Sequence, residues 1–340
     1  MRIAILDDYQ QVALACADWE ALPGPPEIRV FTEHLAGTAE LTAALAPFDV
    51  VVAMRERTPF DAERLEKLPE LRLIVTTGMA NASIDMAAAR RRGILVCGTR
   101  GSGAATAELT WGLILSLARH IPAEDQRIRA GGWQHTIGLG LRGRTLGIAG
   151  LGRQGRQVAA IGRAFGMDLL AWSQNLDPGT AREAGAEPVS KPDLFRRSDI
   201  VTIHYKLGPR SRGLVGAAEL ALMKPTAFLV NTSRGPVVDT EALLAVLHAG
   251  KIAGAALDVY DTEPLPPDHP LRSAPRTVLT PHLGYVADDA YRTHYREAVE
   301  DIAAFARGEP LRVLNGQPGA AETAHPAGRT ATGRPDGSGS

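Results

Sequence analysis

The sequence reads as an α/β protein built from two parallel-sheet units. Two observations predict this. Short β-type runs alternate with helix-like stretches, and the alternation occurs twice, before and after one long apolar segment at 104–121. Strands joined through helices pair in parallel and are covered on both faces. The length, 340 residues, leaves room for two ordinary domains and a sizeable core.

The first set of runs is RIAIL, IRVFT, DVVVAM, LRLIV and ILVC, with LTAALAPF, AERLEKL and DMAAARRR between them as helices. The segment AATAELTWGLILSLARHI (104–121) is apolar enough to predict one helix buried on several sides. The second set is TLGIAG, DLLAW, DIVTIHY, AFLVNTS, GAALDVY and TVLT, with helices at RQVAAIGRAF, AELALM and TEALLAVLHAGK. The last of these helices starts on Asp239 as N-cap and stops at Gly250. Residues 285–307 return to a helical pattern. Residues 316–340 hold no aromatic or branched aliphatic residue and are expected to be disordered, because they cannot bury enough apolar surface to offset their ordering entropy.

Apolar residues make up 45% of the chain, charged residues 22%, and the formal net charge is −1. That balance predicts no nucleic-acid or membrane partner. No apolar run reaches the roughly 18 residues of a membrane span. Two isolated cysteines, Cys16 and Cys97, predict neither a disulfide framework nor a thiolate metal site. With no signal-peptide pattern at the N-terminus, a cytoplasmic protein is the expectation.

One motif carries chemistry by its context. GLGRQG (150–155) stands between the strand TLGIAG and a helix. In such a unit Gly150 ends the strand, Gly152 admits a pyrophosphate to the backbone, and Gly155 lets helix pack on strand. Arg153 and Gln154 open the helix whose positive end faces the phosphates. The alternative is a tight strand-to-helix turn without a ligand. The next strand ends in AWSQNL (171–176). There an Asp or Glu ordinarily holds the ribose hydroxyls of NAD, and here Ser173 and Gln174 stand instead.

Four further stretches, SDIVTIHYKLGPRSRGLV (198–215), VNTSRGPVVD (230–239), ALDVYDTEP (256–264) and TPHLGY (280–285), occur in order after RTLGIAGLGRQG. Together they closely resemble the D-isomer-specific 2-hydroxyacid dehydrogenases, the family of D-lactate, D-glycerate and D-3-phosphoglycerate dehydrogenases. The resemblance covers about residues 1–315. It implies a flavodoxin-like substrate domain (1–100 plus 285–315), an NAD(P)-binding Rossmann domain (101–284) and a cleft between them holding the active site. It also implies a homodimer formed largely through the 104–121 helix and the loop after it.

The resemblance assigns three catalytic roles. Arg234 in NTSRG grips the carboxylate and carbonyl of a 2-keto acid with its planar fork. His282 in TPHLG is the general acid/base, a role that suits a side chain with an ordinary pKa of about 6.5. Glu263 in DTEP is the carboxylate that orients it. Taken singly, each residue reads as a surface or loop side chain; the order and spacing of the three favour catalysis. The loop TTGMANASID (76–85) aligns with the family's substrate loop, so the N–H groups of Met79 and Ala80 are expected on the substrate carboxylate. Ala80 replaces a common glycine and Ala82-Ser83 an Asp-Asn pair. Arg55 in MRERTPF is a candidate for a second anionic group, set against a plain solvated charge.

On the cofactor side the resemblance places Asp258 on the nicotinamide carboxamide and Thr232 beside the cofactor. His204 reads as structural or adenosine-side. Lys206 stands where proline is common and brings a positive charge toward the adenosine end. The loss of the ribose-binding acid at Ser173 removes the repulsion of a 2′-phosphate. The expectation is therefore use of both NAD and NADP, with a slight lean to NADP. No metal is expected, since the hydride chemistry belongs to the cofactor. The function expected is reduction of a small 2-keto acid. The alternatives are the same machinery on a phosphorylated or phosphonate acid such as 3-phosphoglycerate, or a dinucleotide-sensing protein of the corepressor type.

Overall fold

A computed structural model describes residues 1–101 and 103–316. The segment expected to be disordered, 316–340, lies outside the described residues except for Gly316. The described residues form two compact units, one of residues 1–99 and those from 297 on, the other of those between 100 and 296.

The first unit contains β1 (Arg2–Ile5), β2 (Glu27–Val30), α1 (Thr38–Leu45), β3 (Val50–Ala53), α2 (Ala62–Glu66), β4 (Leu73–Thr76), α3 (Met86–Arg91) and β5 (Leu95–Gly98). Its five strands are parallel in the order β2-β1-β3-β4-β5, the flavodoxin-like order. β3 and β4 are buried along their whole length, which is why VVVA and LIVT read as continuous apolar runs. Asp61 and Asp85 cap α2 and α3 by accepting the N–H groups of Arg64 and Ala88. The C-terminal segment returns to β5. Leu314 N–H donates to Val96 O, Gly98 N–H to Arg312 O, and Asn315 pairs with Val96 and Ile94, forming an antiparallel bridge along the sheet edge.

The second unit starts with α4 (Ala104–Ala118) and α5 (Ile121–Arg129). The single helix expected over 104–121 is therefore interrupted. His120 adopts φ 53°, and Pro122 sits in the first turn of α5, where its missing N–H costs nothing. Next come β6 (Thr145–Ala149), α6 (Arg153–Ala164), β7 (Asp168–Trp172), α7 (Pro178–Glu183), β8 (Glu187–Pro188), α8 (Lys191–Arg197), β9 (Ile200–Ile203), α9 (Ala217–Leu220), β10 (Phe228–Asn231), α10 (Thr240–His248), β11 (Gly254–Leu257) and β12 (Thr277–Leu279). α7, β8 and α8 are short, and periodicity does not reveal them. The final helix, α11 (Asp288–Ala306), runs across the division at 296/297.

The seven strands are parallel in the order β12-β11-β10-β9-β6-β7-β8. The chain reverses direction across the sheet between β6 and β9, and ligands of open α/β sheets bind outside the strand C-termini at that point. Alternate residues of each strand supply the two cores. Ile148, Phe228 and Val230 face one, Ala149, Val201 and Leu229 the other. α4 packs on α6 through Trp111, whose ring stacks on Phe165 at 4.8 Å and whose indole N–H donates to Val158 O. Among the described residues no helix is long and apolar enough to cross a membrane.

Candidate active site

The turn after β6 is built around glycine. Gly150 has φ +99°, and a Cβ there would come within 2.6 Å of the His204 carbonyl oxygen. A Cβ on Gly155 would overlap the Gly150 carbonyl, so this glycine lets α6 lie against the turn. Gly152 is different: as N-cap of α6 it has nothing within 4 Å of a Cβ position. The turn thus leaves open space over the start of a 12-residue helix whose first N–H groups have no partner within the helix. That cradle fits a pyrophosphate. Arg153 is exposed on the first turn, with Nη1 3.5 Å from Gly101 O, and Gln154 beside it is half-buried.

The residues expected near the adenosine are mostly occupied. Ser173 Oγ accepts the Leu151 N–H at 3.1 Å, tying the end of β7 to the glycine turn. The Gln174 N–H donates to Tyr205 Oη at 2.8 Å, while the Gln174 side chain is exposed. His204 is half-buried, with Nε2 2.9 Å from Thr202 Oγ1 and Nδ1 shut off from solvent; desolvation pushes its pKa down to about 4. The ring is therefore neutral near pH 7, and the His204 carbonyl lies against the Gly150 turn. Lys206 is exposed. Thr232 is buried, and its hydroxyl lies 2.8 Å from that of Thr110 on α4.

Arg234, Glu263 and His282 follow the C-terminal ends of β10, β11 and β12, three adjacent parallel strands, and so share one edge of the sheet. His282 Nδ1 is 2.6 Å from Glu263 Oε2. The other carboxylate oxygen accepts the Tyr260 N–H at 2.9 Å, which sets the plane of the group. His282 Nε2 has no hydrogen-bond partner among the described residues. Tyr285 packs its ring edge-on to the imidazole at 5.2 Å. Arg234 Nη1 donates to Ser233 O at 2.7 Å, and Asn231 Nδ2 holds the Arg234 carbonyl at 3.0 Å. Gly235 admits the Tyr260–Asp261 backbone so closely that any Cβ would overlap it. The turn carrying Arg234 is therefore pressed on the segment leading to Glu263.

Asp258 lies fully buried at the end of β11. Oδ1 accepts the Thr280 hydroxyl at 2.6 Å and the Leu283 N–H at 2.7 Å, and Oδ2 accepts the Gly284 N–H at 2.9 Å. Burial raises its pKa, with Thr280, Leu283 and the nearby His282 opposing. These three bonds flank His282, which has φ 54°, a strained conformation for histidine. Thr106 on α4 grips the same peptide from the other side, donating to Gly284 O at 2.6 Å. Asp258 thus organises the histidine loop, a role the motif alone did not show. Thr106 and Tyr205 were not singled out from sequence at all; the one available signal was an aromatic residue inside the strand-end motif HYKLG.

In the first unit, the loop after β4 folds against Arg55. Gly78 has φ +130°, and a Cβ on it would collide with the Arg55 guanidinium. Arg55 Nη1 donates to Thr77 O at 3.1 Å, and Asn81 Nδ2 donates to Arg55 O at 2.6 Å. Met79 and Ala80 are exposed. Arg57 is engaged elsewhere, donating to Asp7 O and lying over the Tyr9 ring at 4.5 Å.

A glycine turn at the switch point of a parallel sheet, with a carboxylate–histidine pair and an arginine at strand ends of the same unit, defines a dinucleotide-dependent oxidoreductase. The comparisons agree. Residues 111–284 match the family model "D-isomer specific 2-hydroxyacid dehydrogenase, NAD binding domain". A glyoxylate reductase of Aeropyrum pernix is 43% identical over 266 residues, 75% of this chain and 79% of its own. A D-3-phosphoglycerate dehydrogenase of Methanocaldococcus jannaschii is 36% identical over 274 residues, 79% of this chain but 52% of its own. The crystal structure of a phosphoglycerate oxidoreductase from Vibrio cholerae superposes with a TM-score of 0.87 at 38% identity, over 91% of this chain and 99% of its own. The chain belongs to the D-isomer-specific 2-hydroxyacid dehydrogenases. It is an oxidoreductase acting on the CH–OH group of a 2-hydroxy acid, with an NAD-binding domain.

Proposed function

We propose that the protein works mainly as a reductase of small 2-keto acids, with Arg234, Glu263 and His282 as its catalytic residues. The observation that carries this reading is the 2.6 Å pairing of His282 Nδ1 with Glu263, which leaves Nε2 as the group to serve the substrate. When bound, the nicotinamide supplies the hydride to the carbonyl carbon. His282 Nε2 then gives its proton to the carbonyl oxygen, and Glu263 holds the ring in place for the transfer. Arg234 binds the carboxylate and polarises the carbonyl. In the first unit, the Met79 and Ala80 N–H groups serve the carboxylate, and Arg55 a further anionic group. Asp258 turns toward the nicotinamide carboxamide only with the lone-pair capacity its three loop bonds leave.

The protein uses both coenzymes, with NADPH slightly preferred. The support is the absence of a carboxylate at Ser173. The pyrophosphate rests at Gly150, Gly152, Arg153, Gln154 and Gly155, with Thr232 and Lys206 at the margins. A homodimer forms through α4, α5 and the loop after them. Its support is a set of apolar side chains there that meet solvent, Ile121, Ile128, Trp133 and Ile137, the last of them 97% exposed. The protein is read as cytoplasmic, without nucleic-acid or membrane partners. A phosphorylated acid is a second reading of the substrate; Arg55, folded against the substrate loop, is the observation that favours it.

The test is a set of initial rates with glyoxylate, hydroxypyruvate, pyruvate and 3-phosphohydroxypyruvate, each with NADH and NADPH. His282→Ala should lose at least about a hundredfold in kcat while binding coenzyme as before. Turnover preserved in that variant would end the assignment. NADH binding over tenfold tighter than NADPH would end the coenzyme preference.

A further inference from the structure

We propose that Tyr205 reads the 2′ position of the coenzyme's adenosine ribose. The inference rests on the reading that the β6–α6–β7 unit holds the dinucleotide. In such a unit the end of the second strand meets the 2′ position, and the discriminating group must reach it from there. The hydrogen bonds at the end of β7 decide which group is available.

Ser173 has one proton and two lone pairs to offer. One lone pair accepts the Leu151 N–H at 3.1 Å. The backbone N–H of Gln174 donates to the Tyr205 phenolic oxygen at 2.8 Å, which brings that oxygen to the end of β7. This backbone donor of the strand end is thereby spent inside the protein. The phenol, accepting from Gln174, retains its own O–H as donor. The ring is set firmly enough to aim that proton, since it packs on Trp172 at 5.8 Å between centroids and Lys191 covers the same indole at 5.7 Å. Tyr205 comes from the end of β9 and crosses the switch point to the end of β7.

A neutral phenol carries no charge to repel a phosphate. It donates one hydrogen bond to a ribose hydroxyl, and a charge-assisted and stronger one to a 2′-phosphate. This gives the site a physical basis for accepting both coenzymes with a modest advantage for the phosphorylated one.

The experiment titrates the full-length protein with NADH, NADPH and adenosine 2′,5′-bisphosphate, as wild type, Tyr205→Phe and Ser173→Ala. Tyr205→Phe keeps the ring and its packing. It should weaken NADPH and the bisphosphate at least about tenfold and NADH about three- to fivefold. Ser173→Ala, which frees the Leu151 N–H of the glycine turn, should weaken NADH and NADPH alike. Unchanged affinities in Tyr205→Phe, or a larger loss of NADPH relative to NADH in Ser173→Ala than in Tyr205→Phe, would overturn the assignment while leaving the coenzyme site intact. A wild type that binds none of the three probes would instead overturn the reading of the site itself, and this inference with it.

Discussion

Replacing Asp258 by asparagine isolates the contribution of one buried carboxylate to the loop that carries His282. The substitution keeps size and shape. With its oxygen at the Oδ1 position, asparagine still accepts from Thr280 and Leu283, but the Oδ2 position, which accepts the Gly284 N–H at 2.9 Å, becomes an amide NH2 facing that N–H. A hydrogen bond to a charged acceptor contributes about 1.5–3 kcal/mol, and a buried donor left without a partner costs about 1–3 kcal/mol. These two figures overlap in what they count, so the expected loss is about 3 kcal/mol. The loop also has a reason to move, because His282 at φ 54° gives up backbone strain of about 1–3 kcal/mol when it relaxes. For a unit of residues 100–296 such a loss lowers the melting temperature by about 6–12 °C. Displacing His282 should lower kcat about ten- to a hundredfold, with a smaller change in coenzyme affinity. Thermal denaturation and steady-state kinetics on the same preparations measure both. Full stability together with full kcat in Asp258→Asn would refute the claim that this carboxylate holds the histidine loop.

Arg234→Lys keeps the charge but loses the planar fork, so kcat/KM for the keto acid should fall at least about a hundredfold; single-turnover and steady-state rates check it, and a wild-type value would remove Arg234 from the substrate. Trp133→Asp with Ile137→Asp should convert a dimer to a monomer by light scattering, since both side chains meet solvent at 71% and 97%; an unchanged mass would place any interface elsewhere. Asp301 supplies a pH dependence. Burial pushes its pKa up to about 7 against the pull of Arg312 at 3.0 Å, and its Oδ2 is buried with no partner among the described residues. The folded protein holds that proton more tightly than the unfolded chain, whose carboxylate titrates near 3.9, so this group's contribution to stability falls as pH rises from about 4 to about 7. Asp301→Asn should flatten that slope, and melting curves at about pH 5 and about pH 8 should differ less than in wild type. An identical difference in both proteins would show that Asp301 does not control it.

Some of this protein is determined by local sequence. Alternation of apolar strand runs with helical stretches specifies two parallel sheets, because a fully buried strand must be apolar throughout and its crossover must cover the sheet. The glycines at 150 and 155 are legible for a similar reason: only a residue without Cβ fits beside the His204 carbonyl or against the Gly150 carbonyl. The motifs around Arg234, Glu263 and His282 each follow an apolar strand run, AFLVNTS, GAALDVY and TVLT. Other features depend on partners distant in the chain. Periodicity does not encode that His120 turns left-handed and divides the long helix, nor that Leu314 and Asn315 return to the edge at Val96. Motif matching reads Asp258 as a cofactor ligand; only the structure shows that its oxygens also accept from Thr280, Leu283 and Gly284, 22 to 26 residues away. Ser173 and Tyr205 are 32 positions apart, and only the pairing of β6 with β9 on one side and β7 on the other brings the phenol to the strand end where it takes the Gln174 N–H. A hydrogen bond depends on where two atoms lie in space to within a few tenths of an ångström. The tertiary structure therefore decides which polar groups are already satisfied and which remain for a ligand.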